Sequence, residues 1–239
     1  MPDRDATPAG IADLHVHTRY SDGADGPREV LEWAERIGLD VIAITDHDTI
    51  DGAIVAVEMA QRSAAAPHVI IGEEVSSRDG HILALFISRL VPPDLTAAET
   101  VAAIHEQGGL AVAAHPYWRR DRRGNNGRVY GAGDLIRSIG FDAVEVLNGG
   151  FTPSMIGANR AASAVARSLS STEVGGSDAH VKHAIGWAHT RFAGTTAAEL
   201  RQSLVSGTTQ AARSRLGLVG LRRYAFWSIG RLRLQQVAG

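Results

Sequence analysis

Apolar and polar positions alternate in a regular order along this chain. Short apolar runs rich in Val, Ile and Ala are typical of strands, and stretches in which apolar residues recur at helical spacing separate them. The pattern predicts strands over residues 11–18, 41–46, 69–76, 81–87, 110–115, 143–148 and 173–177. It predicts helices over residues 27–37, 96–106, 133–139, 154–169 and 196–206. This order favours an α/β fold in which helices join mainly parallel strands.

One connection departs from the alternation. The third and fourth predicted strands are separated by a short turn containing Asp79-Gly80, which predicts a hairpin. The chain has 239 residues and shows no internal repeat or linker-like segment. We therefore expect one domain over residues 11–212, preceded by an extension over 1–10 and followed by a distinct segment over 213–239.

The segment over 213–239 differs from the rest of the chain in charge. It contains six Arg and no Asp, Glu or Lys, although the whole chain has a net charge of -2. Several apolar residues fall near one face of a predicted amphipathic helix, namely Leu218, Leu221, Ala225, Ile229 and Leu232. Three interpretations remain open: a helix packed on the domain, a homo-oligomer contact, or a peripheral membrane helix.

The amino-acid composition limits which kinds of catalytic and metal sites the chain can contain. The chain has no Cys and 10 His, which excludes disulfide scaffolds, thiolate zinc sites, iron–sulfur clusters and cysteine nucleophiles. The near-balanced charge predicts no stable nucleic-acid binding. No apolar run approaches the roughly 18 residues of a transmembrane helix, and the first residues lack an export signal, so we expect a cytoplasmic protein.

Potential metal ligands fall at the ends of the predicted strands. His15 and His17 are two residues apart on one strand, so their side chains leave the same face. A lone His is more often an ordinary core or surface residue, but six of the 10 His share this placement. The carboxyl ends of parallel strands meet at one edge of a sheet or barrel. Further polar residues at or near such ends are Asp46, His47, Glu74, His115, Asp178 and His180, and His81 begins the fourth predicted strand.

Together these motifs resemble a known family, the polymerase and histidinol phosphatase (PHP) domain. The resemblance extends from residue 11 to about residue 192. It rests on Asp13-Leu14-His15-Val16-His17-Thr18, Ser21-Asp22-Gly23, Ala43-Ile44-Thr45-Asp46-His47-Asp48-Thr49, Gly72-Glu73-Glu74-Val75-Ser76, Ala114-His115-Pro116 and Gly176-Ser177-Asp178-Ala179-His180.

The resemblance implies a fold and a metal centre. It implies a distorted (β/α)7 TIM-like barrel of seven strands that carries two to three divalent ions at its carboxyl edge. A first ion would be held by His15, His17, Glu74 and Asp178. Glu74 would bridge to a second ion held also by His81 and His115. A third ion would be held by Asp22, His47 and His180.

This donor set has a chemistry of its own. Imidazole and carboxylate donors without sulfur suit Mn2+, Zn2+ or Fe2+. A water bridging two such ions would be deprotonated near neutral pH and could attack phosphorus. Asp178 and His180 are candidates for moving a proton, and Asp46 is a candidate for orienting a ligand.

Candidate substrate contacts follow the fifth and sixth predicted strands. The loop after His115-Pro116 contains Arg119, Arg120 and Arg123, whose guanidinium groups match phosphate oxygens unless the loop is merely solvated. Further candidates are Asn148, Arg160 and His183, although a solvated loop residue is the simpler interpretation of His183.

The resulting expectation is a metal-dependent phosphoesterase. Its substrate would be a small phosphomonoester, such as a sugar phosphate, a nucleotide or a compound like histidinol phosphate. Two alternatives remain: hydrolysis of a carboxylic ester or amide by the same centre, and a non-catalytic PHP module that serves a partner protein.

Overall fold

A single nearly closed sheet organises the computed structural model, which describes residues 10–118, 130–150 and 152–214. In this part of the chain the sheet has nine strands in the order β7-β6-β5-β4-β3-β2-β1-β8-β9. Their bounds are β1 Gly10–Asp13, β2 Val41–Ile44, β3 His68–Ser77, β4 Gly80–Leu85, β5 Leu110–Ala113, β6 Ala143–Asn148, β7 Thr172–Gly176, β8 Ala188–Phe192 and β9 Gln210–Arg213.

Strand directions are mixed. Strands β1, β2 and β3 are mutually parallel, as are β5, β6 and β7. Strand β4 is antiparallel to both its neighbours, which confirms the predicted hairpin at Asp79-Gly80. Strand β8 is antiparallel to β1, and β9 is antiparallel to β8. The α/β barrel-like single domain is therefore confirmed, with two strands, β8 and β9, beyond the seven expected.

The barrel closes by two different kinds of contact. Beyond the ends of β1 and β7 the backbone pairs directly, with His17 N donating to Ala179 O at 3.0 Å. Between β7 and β8, the Thr190 hydroxyl of β8 donates to the carbonyl oxygen of Gly175 at 2.8 Å and accepts from the Gly175 N–H at 3.0 Å. A side chain thus replaces ladder hydrogen bonds between β7 and β8.

Five α-helices occur among the described residues: α1 Pro27–Arg36, α2 Asp51–Ala60, α3 Ala97–Glu106, α4 Pro153–Leu169 and α5 Ala197–Ser206. Local sequence explains several of their ends. Thr96 and Glu99 form a reciprocal capping box at the start of α3, and Thr196 and Glu199 do the same for α5. The predicted helix over 133–139 is a short 3-10 helix, Gly133–Arg137, and α2 was not predicted.

The barrel interior is apolar away from the carboxyl edge. One buried cluster joins residues from eight strands, including Ala12, Leu83, Val112 and Phe192. Helix α5 adds Leu200 and Leu204 to this cluster. The Leu204 carbonyl accepts a hydrogen bond from Thr172, the first residue of β7, so α5 covers the amino end of the barrel. The opposite, carboxyl end is left for polar residues.

The predicted terminal segments lie almost entirely outside the described residues. Only Gly10 of the extension over 1–10 is described, and it starts β1. Only Arg213 and Ser214 of the segment over 213–239 are described, and Arg213 ends β9. The amphipathic character and packing of that segment remain predictions. No helix in the described ranges is long and apolar enough to cross a membrane.

Candidate metal centre

Nine predicted ligand residues come together at the carboxyl edge of the barrel, and we call them the inner group. His15 and His17 follow β1, and His47 follows β2 and bridges to Glu74 of β3. Their donor atoms form three sets, and within each set all the atoms lie within 4.8 Å of one another. These sets are His15, His17, Glu74 and Asp178; His17, Asp22, His47 and His180; and His47, Glu74 and His81. His115 joins through Glu74, so the inner group comprises His15, His17, Asp22, His47, Glu74, His81, His115, Asp178 and His180.

Glu74 lies at the middle of the inner group and its side chain is only 1% exposed. Its Oε2 lies 3.1 Å from His15 Nε2, 3.2 Å from His17 Nε2 and 3.3 Å from His47 Nδ1. Its Oε1 lies 2.7 Å from His81 Nδ1 and 3.0 Å from His115 Nε2. Each oxygen therefore faces a different set of imidazoles, as suits a carboxylate that bridges two cations.

The other two carboxylates of the inner group, Asp178 and Asp22, also face imidazole nitrogens. Asp178 Oδ1 is 3.2 Å from His17 Nε2 and 3.5 Å from His15 Nε2. Asp22 Oδ1 is 3.1 Å from His180 Nε2, and its Oδ2 is 3.8 Å from His47 Nε2. Asp22, which alone reads as a turn residue, thus lies with the other ligands.

The donors fit divalent metal ions. Both ring nitrogens of His17 are buried and have no hydrogen-bond partner among the described residues. Two carboxylate oxygens lie 3.2 Å from His17 Nε2 without hydrogen-bond geometry, so these groups are aimed at a shared point and not at one another. Buried polar groups normally have partners, and imidazole with carboxylate oxygen is a common ligand set for Zn2+ and related ions.

Charges in the inner group shift its pKa values strongly. Burial raises the pKa of Glu74, but its electrostatic contacts with the surrounding histidines, His47 first among them, hold it well below its usual range. Burial lowers the pKa of His17, but contacts with Asp178 and Glu74 raise it to about 10. Burial lowers the pKa of His47 to about 3. Protons on some imidazoles therefore balance the carboxylates, and bound cations would replace those protons.

Two ligands sit on unusual backbone. His115 has φ 26° and Asp178 has φ 52°, both in the left-handed region that residues other than Gly rarely adopt. His115 lies two residues after the end of β5, and Asp178 lies two residues after the end of β7. Such strain persists where surrounding structure fixes the residue, and it is concentrated at functional sites.

Three further acidic residues hold the ligands in place, and we call Asp13, Asp46 and Glu145 the supporting carboxylates. Glu145 Oε1 lies 3.0 Å from His15 Nδ1, while its Oε2 accepts from His115 N at 2.8 Å. A Cβ at Gly176 would lie 2.6 Å from Glu145 Oε1, so β7 needs glycine to pass this contact. By holding Nδ1 of His15, Glu145 directs Nε2 of that ring to the inner group.

Asp13 joins the segments that follow β1 and β7. Its Oδ1 accepts from Ser177 N at 2.9 Å and from His15 N at 3.3 Å, and its Oδ2 accepts from Gly186 N at 2.7 Å. Sequence reasoning assigned no role to Asp13 or Glu145. A fully buried carboxylate inside an apolar strand, as at Glu145, is the signal that could have found it.

The carboxylate of Asp46, the candidate for orienting a ligand, accepts hydrogen bonds from the segment that follows β1. Its Oδ1 accepts from Thr18 N at 2.7 Å and from Ser21 Oγ at 2.6 Å. Its Oδ2 accepts from the Thr18 hydroxyl at 2.7 Å. Asp46 therefore fixes the loop that carries Asp22, which agrees with the prediction that it orients a ligand.

The predicted substrate contacts have different fates. Arg119, Arg120 and Arg123 lie outside the described residues. Arg160 is exposed on α4 and lines a cavity of about 390 Å3 between α4 and the sheet, apart from the inner group. The ring of His183 packs 4.4 Å from that of Trp33 on α1. Asn148 touches the inner group through a hydrogen bond to Asp178.

Aromatic rings flank one side of the inner group. Trp118 lies 5.4 Å from His115, and Tyr130 lies 5.5 Å from His81, measured between ring centroids. Both aromatic side chains are half-buried, and their rings are 5.1 Å apart. Tyr117 instead donates its hydroxyl to Asp134 Oδ1 at 2.8 Å.

Comparison with known proteins agrees with this geometry. A family model described as the PHP domain matches residues 13–121, and a second, described as PHP-associated, matches residues 157–209. An uncharacterised protein of Methanocaldococcus jannaschii is 36% identical over 148 residues, which cover 57% of this chain and 81% of that protein.

A second relative and a solved structure carry functional names. The phosphoribosyl 1,2-cyclic phosphate 1,2-diphosphodiesterase of Eggerthella lenta is 40% identical over 88 residues, covering 34% of this chain and 33% of that enzyme. A two-domain protein of Bacteroides vulgatus that contains a predicted PHP-like metal-dependent phosphoesterase superposes with a TM-score of 0.70 at 21% identity. The match covers 89% of this chain and 67% of that one. On the family models, this relationship and the shared fold, the chain belongs to the PHP family.

Proposed function

We propose that this chain is a metal-dependent phosphoesterase whose substrate is a small phosphomonoester. The observation that carries the proposal is the position of Glu74, each of whose oxygens faces its own set of imidazoles at the open end of the barrel. Membership of the PHP family and the phosphoesterase-like fold support hydrolysis of a phosphoric ester.

The inner group would hold two to three divalent ions such as Mn2+, Zn2+ or Fe2+. His15, His17, Glu74 and Asp178 would hold the first, Glu74 with His81 and His115 the second, and Asp22 with His47 and His180 the third. Bound there, such ions supply Lewis acidity and lower the pKa of coordinated water.

The protein groups then bind and orient the substrate. Three dications would outweigh the three carboxylates of the inner group, so the site would attract a dianion such as a phosphomonoester. Trp118 and Tyr130 form an apolar wall beside His115 and His81, which limits water on that side. His180 Nδ1 lies 2.9 Å from the Asp178 carbonyl oxygen, and this contact fixes the ring while Nε2 faces Asp22.

A phosphodiester is the second candidate substrate. The Eggerthella lenta relative is named as a cyclic phosphodiesterase, and the chain spans about a third of its length. A Haemophilus influenzae relative, 32% identical over 104 residues, is named as a 5'-3' exoribonuclease, and the chain covers 37% of it. Either substrate uses the same cation-rich site, so the bond that is cleaved must be measured.

The test uses the full chain, depleted of metal and reloaded with Mn2+, Zn2+ or Fe2+. Phosphate release is followed from a sugar phosphate, a nucleoside monophosphate and histidinol phosphate, and p-nitrophenol release from bis-p-nitrophenyl phosphate and p-nitrophenyl acetate. We expect metal-dependent turnover of monoesters. Turnover of the acetate alone, or of no ester by metal-loaded protein, would overturn the proposal.

A matched pair of variants ties the activity to the inner group. His17→Ala should abolish turnover and lower the metal content. His105→Ala removes an exposed imidazole outside the inner group, which pairs with Asp142 at 2.8 Å. This control variant should keep wild-type turnover and wild-type metal content. Equal turnover in the two variants would remove the inner group from the proposal.

A further inference from the structure

We propose that Asn148 is a positioning residue that selects which oxygen of Asp178 faces the inner group, and that it does not contact the substrate. The proposal rests on the proposed function only where turnover is measured. Asn148 ends β6, is fully buried and lies beside two carboxylates with different tasks. Sequence reasoning grouped it with the substrate-binding residues.

The side-chain amide of Asn148 has no donor left for a substrate. Its Nδ2 donates to Asp178 Oδ2 at 3.1 Å and to Glu145 Oε2 at 3.2 Å. Its Oδ1 accepts from Gly150 N at 3.0 Å. A primary amide has two N–H donors, and both are used by these carboxylates.

The consequence falls on Asp178. Asn148 anchors Oδ2, so the carboxylate presents Oδ1, which lies 3.2 Å from His17 Nε2 and 3.5 Å from His15 Nε2. The left-handed backbone of Asp178 fixes the root of the side chain, and Asn148 fixes its end. A carboxylate held at both points loses little freedom when a cation binds, which favours metal affinity.

Two elements from elsewhere in the fold hold Asn148 itself. Asn159 of α4 forms a reciprocal pair with its backbone, because Asn159 Oδ1 accepts from Asn148 N at 3.0 Å and Asn159 Nδ2 donates to Asn148 O at 2.9 Å. Arg213 of β9 donates from Nη2 to the same carbonyl at 3.0 Å. The last strand of the sheet is thereby linked to Asp178 through one residue.

The experiment compares metal affinity with substrate affinity. For Asn148→Ala we expect the Kd for Mn2+, measured by calorimetry on the metal-depleted full chain, to rise about 10- to 100-fold. At saturating Mn2+ the KM for a phosphomonoester should match wild type, and kcat should largely recover. An unchanged Kd for Mn2+ with a raised KM would show a substrate contact and overturn the proposal.

Variants of Arg213 keep the test decisive if Asn148→Ala does not fold. Arg213→Met should weaken Mn2+ binding about two- to tenfold, a smaller effect because the Asn148 amide stays, and Arg213→Lys should restore part of it by keeping a donor. Arg191→Met, at an exposed position of β8, is the control and should bind Mn2+ as wild type does. If Arg213→Met binds Mn2+ as tightly as Arg191→Met, the link through Asn148 is refuted. The Mn2+ measurements need no substrate, so they stand even if no phosphoester is hydrolysed.

Discussion

Two layers of carboxylates surround the same strand ends and meet different partners. Glu74 and Asp178 of the inner group face imidazole nitrogens, and their contacts with His17 lack hydrogen-bond geometry. The supporting carboxylates Asp13 and Glu145 accept backbone N–H groups at 2.7–3.3 Å. Bound cations would therefore complete the first layer, whereas the second has hydrogen-bond partners without them. Changes in the first layer should act through metal, and changes in the second should act also on the metal-free fold.

The largest effect is expected in the inner layer. Asp178→Asn removes a charged ligand, and since metal Lewis acidity contributes several kcal/mol to catalysis, turnover should fall about a thousandfold. Bound metal, measured by elemental analysis, should fall by at least one ion. Asp94→Asn is a matched control, because Asp94 is exposed and also has a left-handed backbone, φ 61° against 52° at Asp178. Similar turnover in the two variants would contradict the division into layers.

Metal addition should stabilise the fold through the inner layer alone. At about 100 times the Kd, each bound ion adds about 2.7 kcal/mol to the free energy of unfolding, which raises Tm by about 5–10 °C in a chain of this size. Calorimetry of metal-depleted protein with and without Mn2+ measures the shift. Asp94→Asn should show the full shift and Asp178→Asn a smaller one. A full shift in Asp178→Asn would mean that Mn2+ binds elsewhere.

A change in the supporting layer should be visible without metal. In the wild-type protein the two oxygens of Glu145 face the ring of His15 and the backbone N–H of His115. In Glu145→Gln an NH2 group must replace one of these oxygens, so the free energy of unfolding of the metal-free protein should fall by about 2 kcal/mol. Urea unfolding of the metal-depleted chain measures this loss. Glu58→Gln, on the exposed side of α2, should leave stability within about 0.5 kcal/mol of wild type. Equal stability of the two metal-free variants would contradict the distinction between the two layers.

The smallest expected effect tests the loop that carries Asp22. Ser21→Ala removes one of the three hydrogen bonds that Asp46 accepts and should cost about 1 kcal/mol. Turnover should fall by no more than a few-fold, because Thr18 still holds Asp46. Ser138→Ala, an exposed serine after the Gly133–Arg137 helix, is the comparison. A loss as large as that of Glu145→Gln would place Ser21 closer to the chemistry than its contacts imply.

Asp22, which alone reads as a turn residue, was assigned through the resemblance to the PHP family, but most of the inner group was predictable because its members lie at the ends of predicted strands. Parallel strands bring such ends to one edge, so spacing along the chain was enough to expect proximity. Glu145 was harder to assign, because its partner His15 is 130 residues away and local sequence says nothing of that contact. A buried charge in β6 required some partner, but only the closed barrel identifies it.

Elements without a local signal were missed. Strand β9, Gln-Ala-Ala-Arg, has no apolar alternation and forms by pairing with β8. Helix α2 contains Gly52 and the β-branched residues Ile54, Val55 and Val57, which disfavour a helix in isolation. Burial of Ala53 and Ala56 in one cluster with strand residues outweighs that propensity. Tertiary contacts decided these elements.

Strands β7 and β8 are joined through the Thr190 side chain, a contact that we call the side-chain seam, and we expect the barrel to open most readily there. The Thr190 hydroxyl stands there in place of a run of ladder hydrogen bonds, so amide hydrogens beside it, such as that of Gly175, should exchange with solvent sooner than those of the parallel core. Asp178 follows β7 and His15 follows β1, the strand that pairs with β8. An ion shared by these two residues would join the ends of β7 and β1 next to this seam, so metal binding should also slow the exchange of the amide hydrogens beside it.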